Sequence, residues 1–167
     1  MIALQALKDA LKDDTILISI QHANSEIGTI HDIEKIGQTA KENGILFHTD
    51  AVQTFGKLPL NLEKMPVDLA SVSSHKLYGP KGVGGLFIRR GTSPLFPILN
   101  GGNQEFKRRG GTENVAGIAG FGKAAELACS ELEKNADHMR QLKKRLIQHI
   151  NEKLDEFEIF GDLENQL

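Results

Sequence analysis

Asp68-Leu69-Ala70-Ser71-Val72-Ser73-Ser74-His75-Lys76-Leu77-Tyr78-Gly79-Pro80 runs from a strand-like segment, through serines and a histidine, to a lysine and a Gly-Pro turn. A lysine so placed sits on a loop at a strand's carboxyl end, where open α/β sheets carry their ligands. Hydroxyls and an imidazole just before an amine suit a phosphate-bearing carbonyl compound. The hydroxyls and ring N–H donate to phosphate oxygens while the amine condenses with an aldehyde. Pyridoxal phosphate has that chemistry. In isolation, Ser73-Ser74-His75-Lys76 is more often a polar loop with a surface lysine, so the flanking segments decide.

Upstream, His48-Thr49-Asp50-Ala51-Val52-Gln53 follows the apolar run Ile45-Leu46-Phe47 and places an aspartate at the end of a second buried strand. A carboxylate there can pair with a pyridinium nitrogen and keep the ring an electron sink; an Asp N-cap of a helical turn is the other reading. Residues 15–20 are apolar and β-branched, the signature of a strand covered on both faces of a parallel sheet. Between these strands Asp32 reads as an N-cap, Ile33, Ile36, Gly37 and Ala40 share one helix face, and Gly44 is the stop. A β-α-β unit follows. Leu4, Leu7 and Leu11 predict a helix over residues 2–11, with 12–14 as its connection.

Downstream, Val83, Leu86, Phe87 and Ile88 predict a strand over 83–90. The glycines at 79, 82, 84 and 85 lack the G-x-x-x-x-G-K-[ST] pattern and the strand-to-helix setting of a nucleotide loop, so they read as room for close backbone approach. A second glycine-rich loop, residues 100–105, leads into Lys107-Arg108-Arg109. That run is a solvated face, or else Arg109 and Thr112 organise an anion site at the start of the next helix. From Asn114 the chain is helical in character, and Leu132, Ala136, Met139, Leu142, Leu146, Ile150 and Leu154 form a stripe read as core or domain packing. Residues 157–161 alternate like a strand. Cys129 sits in helical context without a nearby histidine and reads as a structural, helix-packed thiol.

The 167 residues are 40% hydrophobic and 25% charged, enough for one domain with a substantial core. A net charge of −2 removes any global pull toward nucleic acid or an anionic membrane. No apolar stretch approaches the ~20 residues that span a bilayer. One cysteine permits no internal disulfide, in keeping with a reducing, cytoplasmic setting. No cluster of metal ligands stands out.

Four blocks, His22-Ala23-Asn24-Ser25-Glu26-Ile27-Gly28-Thr29, His48-Thr49-Asp50-Ala51-Val52-Gln53, Ser73-Ser74-His75-Lys76-Leu77-Tyr78-Gly79-Pro80-Lys81-Gly82-Val83-Gly84 and Arg109-Gly110-Gly111-Thr112-Glu113-Asn114, match the cysteine desulfurases in order and spacing. By them the chain resembles that NifS/IscS-like family, in the class V aminotransferase-like group of fold-type I pyridoxal-phosphate enzymes. The resemblance implies an α/β fold: part of an aspartate aminotransferase-like large domain, with a mostly parallel sheet and flanking helices, over residues 1–130. It places an interdomain helix and the start of a small domain at 131–167, so the chain looks like a central fragment.

For the site, the resemblance implies pyridoxal 5'-phosphate held by Lys76, the catalytic amine, with Asp50 at its ring nitrogen and Gln53 at its phenolic oxygen. Asn24 or Ser25 would stand near the same oxygen, where Ser25 departs from the family's usual Asn. Ser73, His75 and Thr112 would take the phosphate, Thr112 that of a neighbouring subunit in a homodimer. The reaction implied converts L-cysteine to L-alanine, with sulfur passing to an enzyme persulfide and on to an acceptor or scaffold protein for iron–sulfur or thio-cofactor assembly. The loop cysteine of the family is not matched, and His22, His31, His138 and His149 match none of its roles. Two alternatives stay open: another class V enzyme, such as a selenocysteine lyase or a transaminase, and an inactive truncated scaffold.

Overall fold

The computed structural model describes residues 1–92, 95–162 and 165–167. Helix α1 (Leu4–Ala10) leads to strand β1 (Leu17–Gln21), helix α2 (Ile33–Glu42) and strand β2 (Leu46–Asp50). Strand β3 (Leu69–Ser73) runs into a 3₁₀ turn (Ser74–Leu77), which strand β4 (Gly84–Ile88) follows. A single turn, α3 (Gln104–Lys107), precedes the long helices α4 (Val115–Ser130) and α5 (Leu132–Lys153). The four strands form one sheet in sequence order, with β1, β2 and β3 parallel and β4 antiparallel to β3.

Register sorts the side chains. Leu17 pairs with Leu46, Ser19 with His48, Gln21 with Asp50, Asp50 with Ser71 and Ser71 with Leu86, and all of these share one face. Ile18, Phe47, Thr49 and Ala70 alternate to the other face and are buried, Phe47 and Ala70 completely. Helix α2 closes that face with Ile33, Ile36 and Ala40, while Leu4, Leu7 and Leu11 pack at its margin. Burying each large aliphatic or aromatic side chain here stabilises by about 1.5–3 kcal/mol. The buried hydroxyl on that sheet face, Thr49 Oγ1, donates to the Ile20 carbonyl at 2.9 Å, which offsets its desolvation.

Local signals set the ends of α2 as expected. Asp32 accepts from the Lys35 amide at 3.0 Å, and Gly44 takes φ +67° just beyond the helix. Gly37 allows close approach: a Cβ there would lie 2.1 Å from the Pro66 carbonyl oxygen and 3.0 Å from Phe47. The crossover between β2 and β3 contains turns instead of a helix, and Arg89 holds it by donating to the carbonyls of Leu62, Val67 and Met65.

Three sequence expectations change. Residues 157–161 form no strand and are exposed, because no sheet edge lies beside them; the nearest pairing is the single bridge between Thr29 and Gln166. The stripe on α5 is only partly covered among the described residues: Met139, Leu142, Leu146 and Leu154 are exposed, while Leu132, Ala136 and Ile150 are half-buried. Cys129 lies on α4 as expected, yet it faces outward and is exposed instead of packed.

Gly37→Ala should lower stability by about 1–3 kcal/mol, as overpacking does in a dense layer. Urea unfolding followed by circular dichroism measures it, and an unchanged midpoint would contradict the close approach of α2 to the crossover.

Candidate functional site

The three parallel strands deliver their carboxyl ends to one edge of the sheet, and most of the candidate residues leave from there. Asn24 and Ser25 follow β1, Asp50 ends β2 with Gln53 three residues on, and Ser73 ends β3 just before Lys76. The β1 and β2 exits are tied together. His22 donates its backbone N–H to the Asp50 carbonyl at 2.9 Å, and its ring Nδ1 lies 2.9 Å from the Thr54 hydroxyl. His31, across the same loop, donates its backbone N–H to the His22 carbonyl at 2.8 Å.

Lys76 is half-buried on the 3₁₀ turn. Tyr78 closes that turn in the left-handed region at φ 62°, a conformation that costs a non-glycine residue about 1 kcal/mol or more. The turn rests on α4: a Cβ on Gly79 would meet Ser74 Oγ and Ala124, and one on Gly56 would meet Leu77 and Ala128. Ser73 Oγ and His75 Nδ1 lie 2.8 Å apart, so the expected phosphate donors already form a pair. Ser74 Oγ is fully buried without a hydrogen-bond partner.

The other side chains divide between local and outward roles. Asp50 Oδ1 accepts from the Val52 amide at 2.9 Å, so one carboxylate oxygen organises the following turn; that segment is a turn, not a helix. Asn24 Oδ1 accepts from the amides of Glu26 and Ile27, and Ser25 Oγ donates to Glu26. The Asn24 carbonyl oxygen therefore builds its own loop, leaving the amide N–H groups as its donors. Thr112 is exposed, and no hydrogen bond joins it to the other candidates. The α4 start is capped by Asn114, which accepts from the Gly117 amide at 3.0 Å, and Arg109 donates to the Gly110 carbonyl.

Two features were missed by motif reading. His48 bridges strands: Nδ1 is 2.7 Å from Ser19 Oγ and Nε2 is 2.9 Å from Ser71 Oγ. The signal was the two-residue strand period, which puts His48 with Asp50 and Ser71 with Ser73. Lys57 is the second feature: desolvation and then the charge of Lys76 lower its pKa, although its side chain lies at the surface. Among the described residues no group of His, Cys, Asp and Glu could hold a metal.

An amine, a carboxylate and a set of hydroxyl, imidazole and amide donors leave the carboxyl ends of the parallel strands, the edge at which open α/β sheets bind their ligands. The donor chemistry fits pyridoxal phosphate, with a carboxylate for its ring, an amine for its carbonyl and N–H and O–H groups for its oxygens. The chain belongs to the aminotransferase class-V family, which it matches over residues 1–166 and whose cofactor is pyridoxal phosphate. It is 51% identical over 161 residues to a cysteine desulfurase IscS of Dictyoglomus turgidum, covering 96% of this chain and 41% of that protein. It thus spans about two-fifths of the length of that curated relative.

Solved structures agree with this placement. A NifS-like protein superposes with a TM-score of 0.92 at 43% identity, over 99% of this chain and 45% of that one. A structure described as SspA in complex with cysteine gives 0.72 at 46% identity, over 75% of this chain and 36% of that one.

Burial lowers the pKa of His22, of His31 and of His48; the His31 charge adds to the effect at His22, and Asp50 opposes it at His48. Each favours its neutral form when folded, so the unfolded chain takes up protons first as pH falls. Stability should be full above about pH 6.5, the unfolded histidine value, and decline as pH drops through the lower folded values. Urea midpoints between about pH 7.5 and pH 5 test this, and His22→Gln should flatten the slope. Ser74→Ala removes a buried hydroxyl that has no partner, so its thermal midpoint should be unchanged or raised. A marked fall would show that this hydroxyl is satisfied.

Proposed function

We propose that this chain is the cofactor-binding half of a pyridoxal-phosphate-dependent cysteine desulfurase, acting on L-cysteine to give L-alanine and enzyme-bound sulfur. The observation that carries this reading is the delivery of Asp50 and the Lys76 turn to the carboxyl ends of adjacent parallel strands in a class-V chain. The description of the SspA structure as a complex with cysteine supports the substrate.

When bound, the cofactor supplies an electron sink that stabilises negative charge at the substrate Cα. The chain's own residues do the rest. Lys76 holds the cofactor carbonyl through its amine and moves the proton at Cα. Asp50 presents its outward oxygen to the ring nitrogen and keeps that nitrogen protonated. Gln53 donates to the phenolic oxygen, assisted by the Asn24 amide or the Ser25 hydroxyl. Ser73 and His75, hydrogen-bonded to each other here, would donate to the phosphate.

Thr112 serves the phosphate of a second copy in a homodimer. The exposed Phe96, Ile98, Leu99 and Phe106 of the neighbouring loop support this, since they leave apolar surface outside the chain's own core. Residues 1–130 form part of the large domain, and 131–167 the interdomain helix and start of a small domain, with the partly exposed α5 stripe as its packing face. The sulfur goes to an acceptor protein for iron–sulfur or thio-cofactor assembly in the cytoplasm. No helix among the described residues is long and apolar enough to cross a membrane.

Borohydride reduction of the chain mixed with pyridoxal phosphate, followed by peptide mass spectrometry, should find the adduct dominantly on Lys76. Lys76→Ala should abolish it, and Asp50→Ala should weaken binding by about tenfold or more, as expected for a lost charge-assisted contact. Labelling scattered over surface lysines would refute the half-site.

A further inference from the structure

His48 is the only imidazole in the sheet, and both of its nitrogens are engaged across strands. Ser19 on β1 meets Nδ1 at 2.7 Å and Ser71 on β3 meets Nε2 at 2.9 Å, so one ring joins all three parallel strands by side-chain contacts. Ladder hydrogen bonds join the same strands, but they fix backbone register without fixing side chains on the face. The ring does the latter. It lies two residues before Asp50, on the same face, and Ser71 is the register partner of Asp50 and lies two residues before Ser73.

The chemistry of the ring's partners matters as much as their position. A neutral imidazole has one donor and one acceptor nitrogen, and a serine hydroxyl can meet either. Two hydroxyl partners therefore satisfy the ring without a charge, and no salt bridge reaches it. Leu69, the register partner of His48, and Leu46, two residues before it on the same face, flank the ring with apolar side chains, which favours the neutral form. Burial lowers the His48 pKa accordingly, although the Asp50 charge pulls the other way. A neutral His48 leaves the negative charge of Asp50 uncompensated from below. That charge stays available to a cationic ring nitrogen.

We infer that His48, held between Ser19 and Ser71, is a positioning residue for the cofactor, setting the Asp50 carboxylate against the Lys76 turn. This role rests on the pyridoxal-phosphate reading of the site. Loss of the ring lets the ends of β2 and β3 shift relative to one another. Ser71→Ala leaves Nε2 without its partner between strands, whereas Ser19→Ala opens Nδ1 to water at the exposed edge strand.

The test is pyridoxal phosphate binding to the whole chain, read by affinity and by the pH midpoint of the bound cofactor's long-wavelength absorption. His48→Leu and Ser71→Ala should each weaken binding about tenfold, Ser19→Ala about twofold, and the first two should also move the absorption midpoint. His48→Gln, which keeps a donor and an acceptor, should restore most of both. In an Asp50→Asn background His48→Leu should cost no further affinity, because the role runs through that carboxylate. An equal loss in both backgrounds, or an unmoved midpoint with unchanged affinity, overturns the role while leaving the cofactor site intact. No adduct on Lys76 in the unsubstituted chain sinks the cofactor reading itself and this role with it. Should His48→Leu fail to fold by circular dichroism, Ser71→Ala in both backgrounds decides the question in the same way.

Discussion

The alternation of β2 is the constraint on which everything else rests. Its odd and even positions serve different ends: Phe47 and Thr49 disappear into the layer under α2, while His48 and Asp50 stand on the opposite face. A slip of one residue would bury an aspartate and expose Phe47, so burial of the one face fixes the chemistry of the other. The exit of β2 is locked as well, since the Asp50 carbonyl receives the His22 amide and its Oδ1 receives the Val52 amide. The position of the Asp50 carboxylate is thereby set by the buried layer beneath α2.

Close backbone approaches turn that layer into a platform. Gly37 lets α2 settle against Pro66 and Phe47, and Gly56 and Gly79 let the lysine turn settle against α4. Lys76 is consequently mounted on a turn that is packed from below, with Tyr78 in a left-handed conformation at its end. Strain held beside an amine by surrounding packing is the arrangement expected where geometry must be kept ready for a ligand. The buried, unpartnered Ser74 hydroxyl is a second cost accepted at the same turn.

Stability is distributed unevenly over the chain. The buried residues cluster between α2 and the inner sheet face, whereas α5 and the loop with Phe96 and Ile98 contribute large apolar side chains that remain exposed. Local opening should therefore start in those segments, where few buried contacts oppose it. Such surfaces suit association, while the half of the site on β1, β2 and β3 stands on the stable layer.

Local signals in the sequence specify most of the helices and strands and their order. Apolar β-branched runs marked β1 and β2, Asp32 and Gly44 bounded α2, and Ile33, Ile36, Gly37 and Ala40 named its buried face, because propensity, capping and periodicity act within a few residues. That Asp50 and Lys76 stand at the ends of strands was legible for the same reason. Other properties depend on which neighbours arrive from far along the chain. The His48 bridge needs β1 and β3 on either side of β2, some 23 to 29 residues away in sequence. Whether the α5 stripe or Cys129 is buried depends on what packs against those helices, which periodicity does not encode. The apparent strand at 157–161 failed because alternation describes a face, and a strand also requires an edge with free backbone groups beside it. Tertiary structure alone decided those pairings, because hydrogen-bonding and burial are properties of two surfaces and the sequence of one segment describes only its own.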